Sequence, residues 1–204
     1  APFGPGFTAT ILGNIWRPEI LDDIYEAWAW VGESLGGIRP IEWICHPRSV
    51  AQLDRLGFRL DPMLRHVGFL PRAEMYDRLR AADIAIIPFN RELYPETDYA
   101  RFSLPSRITE IAAAGLPIFL AASPQTETAR YVEEHGIGVV ALPADQEQFR
   151  TSLLNFIKDE RMRAECGCRA RALAEHDFDI NKHQDFLYGK LSELAQRASS
   201  LDRK

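Results

Sequence analysis

Helix and strand signals are densest in the run Phe102-Ser-Leu-Pro-Ser-Arg-Ile-Thr-Glu-Ile-Ala-Ala-Ala-Gly-Leu-Pro117. Ser103 or Leu104 can act as a helix N-cap, with Pro105 in the first turn, where its missing N–H costs nothing. Gly115 suits the left-handed residue that ends many helices. We therefore predict a helix of about ten residues, followed by a buried strand.

The predicted helix has an apolar stripe and, off that stripe, two opposite charges. The stripe has the i, i+3, i+4, i+7 spacing of a helix face packed on a sheet, and it consists of Ile108, Ile111, Ala112 and Gly115. Arg107 and Glu110 lie one turn apart, near the N-terminal end that favours anions. One interpretation is an ordinary surface pair worth about 0.3 kcal/mol. We favour a nucleoside diphosphate site, with Arg107 on phosphate and Glu110 on ribose.

Short apolar runs alternate with helical segments along most of the chain. We predict strands at 8–13, 41–45, 65–68, 83–88, 116–121 and 137–142. Further helices are predicted at 19–35, 47–56, 71–82, 124–135, 145–158, 159–175 and 178–198, with Asp145 and Asp159 as N-caps. Several strands are apolar throughout, which indicates a parallel sheet covered on both faces. The prediction is a doubly wound, Rossmann-like α/β fold with a six-stranded parallel sheet and C-terminal helices.

The two ends of the chain differ in character from its middle. Residues 1–7 are rich in Pro and Gly and are predicted to be a linker, which would make this chain the second half of something longer. Residues 8–204 are then one domain with a helical extension. The last helix has an apolar stripe that would cover this domain or contact a neighbour, formed by Phe186, Leu187, Leu191 and Leu194.

Composition narrows the class of protein. The chain has 204 residues, of which 46% are hydrophobic, enough for the core of one domain. A net charge of −5 with both signs interspersed argues against a nucleic-acid-binding surface. Apolar runs fall short of the ~18 residues that a membrane helix needs. Cys45, Cys166 and Cys168 are too few for a disulfide framework, so we expect a reducing, cytoplasmic compartment.

Ligands of open α/β sheets bind beyond the carboxyl ends of the strands. The loops that matter are therefore 13–17, 46–48, 68–71, 89–102 and 122–125. Arg17 suits a diphosphate, or is a solvated loop charge. Gly13 allows a phosphate to approach closely, or simply closes a turn. His46 is in a position to donate to a ligand, although a lone histidine is more often structural.

Several familiar motifs are absent from the sequence. Without a G-x-G-x-x-G motif, NAD or FAD binding is disfavoured, and neither a G-x-S-x-G elbow nor a Walker loop occurs. Cys166 and Cys168 would point to different faces of a helix and lack partners at metal spacing. We therefore predict no metal site.

Residues 103–118 resemble the donor-site signature of GT-B glycosyltransferases, a Pro-x-Lys-x-x-Glu-(Tyr/Ala)-x-Ala-x-Gly-x-Pro pattern. Segments 66–71 and 82–88 resemble the family's segments before this signature, and 126–138 resembles the helix and turn after it. The resemblance runs from residue 8 to the C-terminal helices. It is a resemblance to the C-terminal, nucleotide-sugar-binding half of group 1 type enzymes.

The resemblance implies roles for the candidate site residues. Arg17 and Arg107 become candidate catalytic residues at the diphosphate, together with Gly13, and Glu110 would hold the ribose. Phe102 stands where a paired-carboxylate signature has its other acid, so the contact to the donor sugar is in question. The remaining candidates for nucleotide binding are Asn14, His46, Phe69, Leu70, Ser103, Leu104 and Ser106, of which Phe69 and Leu70 would line the base pocket.

The resemblance implies a glycosyltransferase domain of carbohydrate biosynthesis, hexosyltransferase-like and retaining. It would take a nucleoside diphosphate sugar as donor, require no cofactor, and be inactive without an N-terminal domain that supplies the acceptor site and any base. That domain would be its partner, and any membrane association would come through it. Two alternatives remain open: half of a sugar-nucleotide epimerase of the same fold, and a non-catalytic α/β interaction module in which Arg107 and Glu110 are only a surface pair.

Overall fold

Six parallel strands form one sheet at the centre of the computed structural model, which describes residues 6–15, 17–93 and 101–201. The strands are β1 (Ala9–Leu12), β2 (Ile41–Ile44), β3 (Leu64–Gly68), β4 (Ile84–Pro88), β5 (Ile118–Ala121) and β6 (Gly138–Ala141). Their order in the sheet is β3-β2-β1-β4-β5-β6, and each neighbouring pair is parallel. The predicted doubly wound, Rossmann-like sheet is confirmed.

Helices connect the strands and continue beyond the last one. They are α1 (Ile20–Leu35), α2 (Pro47–Arg55), α3 (Arg72–Ala81), α4 (Arg107–Ala113), α5 (Glu127–Glu134), α6 (Gln146–Lys158), α7 (Glu160–Asp177) and α8 (Ile180–Leu201). Asp145 caps α6 by accepting from Gln148 N at 3.1 Å, and Asp159 caps α7 by accepting from Met162 N at 2.8 Å. Both predicted N-caps are confirmed.

The helices bury both faces of the sheet. On one face Trp28 of α1 and Phe149 of α6 belong to a cluster with the inward residues of the strands. On the other face a second cluster includes Ile108 of α4, Val132 of α5 and Ala170 of α7. Because neither face meets water, β4 and β5 are buried along their whole length, which explains their uninterrupted apolar sequences.

The start of α4 differs from the prediction. The helix begins at Arg107 and not at Ser103 or Leu104, so it has 7 residues. Pro105 restricts the residue before it to extended backbone, which prevents Leu104 from being helical. Ile108 N bonds instead to Pro105 O at 3.0 Å, in a tight turn that leads into the helix. The predicted end is correct, since Gly115 has φ +71°.

The helix stripe predicted for the C-terminal segment lies on the surface. Phe186, Leu187, Leu191 and Leu194 of α8 are 52–66% exposed. In the part of the chain that the structure describes, α8 therefore does not use this stripe to cover the sheet domain. None of the described helices is both long enough and apolar enough to cross a membrane.

Two glycines bring α7 into direct contact with the end of α4. A Cβ added to Gly167 in α7 would lie 2.5 Å from the carbonyl oxygen of Gly115. Arg171, one turn further along α7, donates from Nη1 to Ala113 O at 2.5 Å. The end of α4 is thus held against α7 by backbone contact and by a charged donor.

We expect Gly167→Ala to lower the free energy of unfolding by about 1–3 kcal/mol, because the new methyl group meets a backbone oxygen that has no room to move. The matched control is Gly189→Ala in α8, where nothing lies within 4 Å of an added Cβ. This control should leave stability unchanged or raise it slightly, through the better helix propensity of alanine. Urea denaturation followed by circular dichroism measures both; equal effects of the two substitutions would contradict the close contact.

Candidate functional site

A cavity of about 410 Å³ opens at the carboxyl edge of the sheet. Its walls come from the segments after β1, β2 and β3, from α3, and from the start of α4. The lining residues are Leu12, Gly13, Asn14, Ile44, Cys45, His46, Phe69, Leu70, Met75, Ser106, Arg107 and Glu110. Eight of the predicted site residues are brought together here, from loops far apart in sequence.

The turn Gly13–Asn14 forms one wall and is held by hydrogen bonds from several elements. Gly13 has φ +80°, a left-handed conformation that favours glycine. Its N–H donates to Ile44 O at 2.9 Å, and its carbonyl accepts from Trp43 Nε1 at 2.7 Å. Ser49 Oγ donates to Asn14 Oδ1 at 2.5 Å. The turn is therefore built into the sheet edge before any ligand arrives.

Arg107 and Glu110 lie in the opposite wall. Arg107 Nη2 donates to Asn14 O at 2.5 Å, so this guanidinium reaches across from α4 to the first loop. A Cβ on Gly13 would be 3.8 Å from Arg107 Cζ, which puts the guanidinium directly beside the Gly13 backbone. Glu110 accepts from Thr109 Oγ1 at 3.2 Å and is half-buried. The cavity thus presents a fixed positive charge and a carboxylate about one helical turn apart.

The outer rim of the cavity is aromatic. The rings of His46 and Phe69 lie 5.8 Å apart between centroids, and Phe69 is 73% exposed. His46 also caps α2, because its Nδ1 accepts from Arg48 N at 3.1 Å. In neutral His46 the proton must then be on Nε2, so this nitrogen is a donor. An exposed ring beside a donor is suited to a flat heterocycle.

Three of the predicted site residues do not line the cavity. Arg17 is partly exposed and pairs with Glu19, with Nη1 and Oε1 3.4 Å apart. Ser103 O accepts from Thr128 Oγ1 at 2.6 Å, which turns this carbonyl toward α5. Leu104 is 43% exposed.

The loops after β4 and β5 bond to each other. Asn90, which is 1% exposed, accepts from Ser123 N at 2.9 Å, and Ser123 Oγ donates to Leu93 O at 2.5 Å. Within the described residues, neither loop lines the cavity. The predicted ligand loop 89–102 includes residues 94–100, which lie outside the described residues, as does Trp16 in the first loop.

Two residues that hold the first loop in place, Trp43 and Ser49, are not among the predicted site residues. Trp43 is fully buried, yet its indole N–H reaches the cavity wall through Gly13 O. Ser49 is 9% exposed and contacts both Asn14 and the Cys45 thiol. A buried tryptophan needs a partner for its N–H, and that need was the available signal. The polar side of α2 carried no comparable signal for Ser49.

No cluster of three or more His, Cys, Asp or Glu side chains suited to a metal ion occurs among residues 6–15, 17–93 and 101–201. Cys45, Cys166 and Cys168 are all free thiols.

Comparison with known proteins finds a family model that matches the sequence and solved structures that share the fold. The family model described as "Glycosyl transferase-like" matches residues 5–184. No curated protein matches the chain in sequence.

Three solved structures illustrate the likeness in fold. WaaG, a glycosyltransferase involved in lipopolysaccharide biosynthesis, has 21% identity and a TM-score of 0.58, over 86% of this chain and 44% of WaaG. Anabaena HepE in complex with UDP has 20% identity and a TM-score of 0.62, over 93% of this chain and 49% of HepE. Trehalose 6-phosphate synthase from Burkholderia multivorans has 13% identity and a TM-score of 0.66, over 99% of this chain and 45% of the synthase. The chain therefore spans less than half the length of each, and at these identities the likeness concerns the fold.

Thiol labelling tests the closed inner wall of the cavity. Burial raises the pKa of Cys45 to about 12 and also raises the pKa of Cys166. Because the thiolate is the reactive form, we expect iodoacetamide to label exposed Cys168 in the native protein, and Cys45 and Cys166 only after unfolding. Raising the pH to about 9 should not change this for Cys45, since that pH still lies below its pKa. Peptide mass spectrometry gives the labelled fractions; rapid native labelling of Cys45 would contradict the burial.

Proposed function

The chain belongs to the glycosyl transferase-like family, and we propose that it is the donor domain of a glycosyltransferase, binding a nucleoside diphosphate sugar in the cavity at the carboxyl edge of the sheet. The observation that carries the proposal is the joint presence of Arg107 and Glu110 in one cavity wall, facing the Gly13–Asn14 turn. A cation beside a tight backbone turn suits a diphosphate, and a carboxylate one turn away suits the two hydroxyls of a ribose.

In the proposed complex the nucleotide spans the cavity from rim to turn. The base lies against Phe69 and Leu70 near His46, on the aromatic and apolar side. The diphosphate lies between the Gly13–Asn14 turn and Arg107. Ser103 and Leu104 are not used in this pose, because neither lines the cavity. Arg17 joins from the continuing loop; its surface pair with Glu19 costs little to break.

The chemistry proposed for the site is stabilisation of the leaving group. As the bond between the anomeric carbon and the phosphate oxygen breaks, its electron pair remains on the diphosphate, and negative charge builds beside the Arg107 guanidinium. A positive group already held in place by Asn14 O stabilises this charge without reorganisation. The proposal calls for no metal ion, because guanidinium groups supply the positive charge. Retention at the anomeric carbon stays part of the proposal.

The acceptor site is assigned to a second domain. The similar structures are about twice as long as the region they share with this chain, which supports an additional body of similar size. The exposed apolar stripe of α8 offers such a body a surface to bury. In the proposal this chain, taken by itself, binds the donor and transfers no sugar.

UDP is the first probe, because HepE is known in complexes with UDP and UDP-glucose. We expect Glu110→Ala to weaken UDP binding by about 1–3 kcal/mol, roughly 5- to 150-fold in the dissociation constant, through loss of hydrogen bonds to the ribose. Glu133→Ala is the matched control, since Glu133 is an exposed helical glutamate outside the cavity. Isothermal titration calorimetry of both variants and the parent chain gives the comparison.

The same titration separates the alternatives. A chain that binds none of UDP, ADP and GDP would favour the interaction module. If Glu110→Ala leaves nucleotide binding unchanged, the cavity is not the binding site and this part of the proposal is wrong. An epimerase half would bind the nucleotide equally well, and is distinguished by assaying the complete enzyme for a change in sugar configuration without an acceptor.

A further inference from the structure

We propose that Ser49 is a positioning residue for the donor site: it holds the side-chain amide of Asn14 by its oxygen, so that the amide nitrogen donates to the diphosphate. This inference rests on the proposed function. Ser49 does not line the cavity, so it acts on the ligand only through Asn14.

The position of Ser49 is fixed by the start of α2. It is the third residue of this helix, and its backbone N–H donates to His46 O at 2.8 Å. At 9% exposure its hydroxyl is withdrawn from solvent, behind the cavity wall. The Oγ lies 2.5 Å from Asn14 Oδ1 and also contacts the Cys45 thiol. A buried hydroxyl with two such neighbours has little freedom to rotate.

The hydrogen bond between Ser49 and Asn14 has a defined direction. A serine hydroxyl has one proton to donate, and the Asn14 oxygen receives it. The bond therefore runs from Ser49 Oγ to Asn14 Oδ1, because an amide oxygen can only accept.

The consequence falls on the other end of the Asn14 amide. With Oδ1 committed to Ser49, Nδ2 is left with two protons and has no hydrogen-bond partner within the described part of the chain. Asn14 is exposed to the cavity, and its own carbonyl is occupied by Arg107 Nη2. The amide donors and the guanidinium therefore stand side by side. A reversed amide would present oxygen lone pairs to the anion and repel it.

A double-mutant cycle on UDP binding tests this arrangement. We expect Ser49→Ala to weaken binding about five- to tenfold, because the Asn14 amide is no longer held in one orientation. Asn14→Ala should weaken binding to a similar extent, and adding Ser49→Ala to Asn14→Ala should have no further effect. Ser49→Thr keeps the hydroxyl and should stay within about twofold of the parent chain. Ser34→Ala, at an exposed serine of α1, is the matched control.

Each outcome bears on the inference. If the parent chain binds no nucleoside diphosphate, the proposed function fails, and the positioning role fails with it. If the parent binds UDP and Ser49→Ala stays within about twofold, the inference alone is wrong. It is also wrong if Ser49→Ala weakens binding equally in the Asn14→Ala background, since the effect would then be a general loss of structure. Should Ser49→Ala fail to fold, Ser49→Cys serves instead, because a thiol donates too weakly to hold the amide.

Discussion

The position of β1 at the centre of the sheet is the constraint on which the site depends. β1 pairs with β2 on one side and with β4 on the other, so the chain connections on its two sides lead away in opposite directions. A cleft opens where such connections part. The turn Gly13–Asn14 stands at that point, and α4 meets it there although Arg107 and Asn14 are 93 residues apart in sequence.

The fold was predictable because its strands are short, because some of them, such as β4 and β5, are apolar throughout, and because clear helical segments separate them. Gly115 also ended α4 as predicted, since the left-handed conformation selects glycine strongly. The start of α4 was predicted wrongly for an equally local reason. Ser103 is a good capping residue, but Pro105 restricts Leu104 to extended backbone, and this steric restriction is the stronger effect.

The candidate site was predictable only where topology alone decides. Gly13 and His46 follow strands of a parallel sheet, so their place at the carboxyl edge follows from the strand order. Trp43 and Ser49 reach the first loop across 30 and 35 residues of sequence, and their local patterns are those of an ordinary strand and helix. Arg17 is the opposite case, because its partner is close in sequence. Its side chain pairs with that of Glu19, two residues away, and this pairing depends on the conformation of the loop.

The contact between Gly115 and Gly167 also limits how the site can adapt. The end of α4 rests on the backbone of α7 with no side chain between them, and Arg171 fastens the same end. Tilting α4 toward a ligand would require α7, an 18-residue helix, to move as well. Because Asn14 O already holds Arg107, adjustment on this side of the cleft is confined to side chains such as Glu110. Helix α4 is therefore a rigid support, and the side chains and the opposing loops make the fit to the ligand.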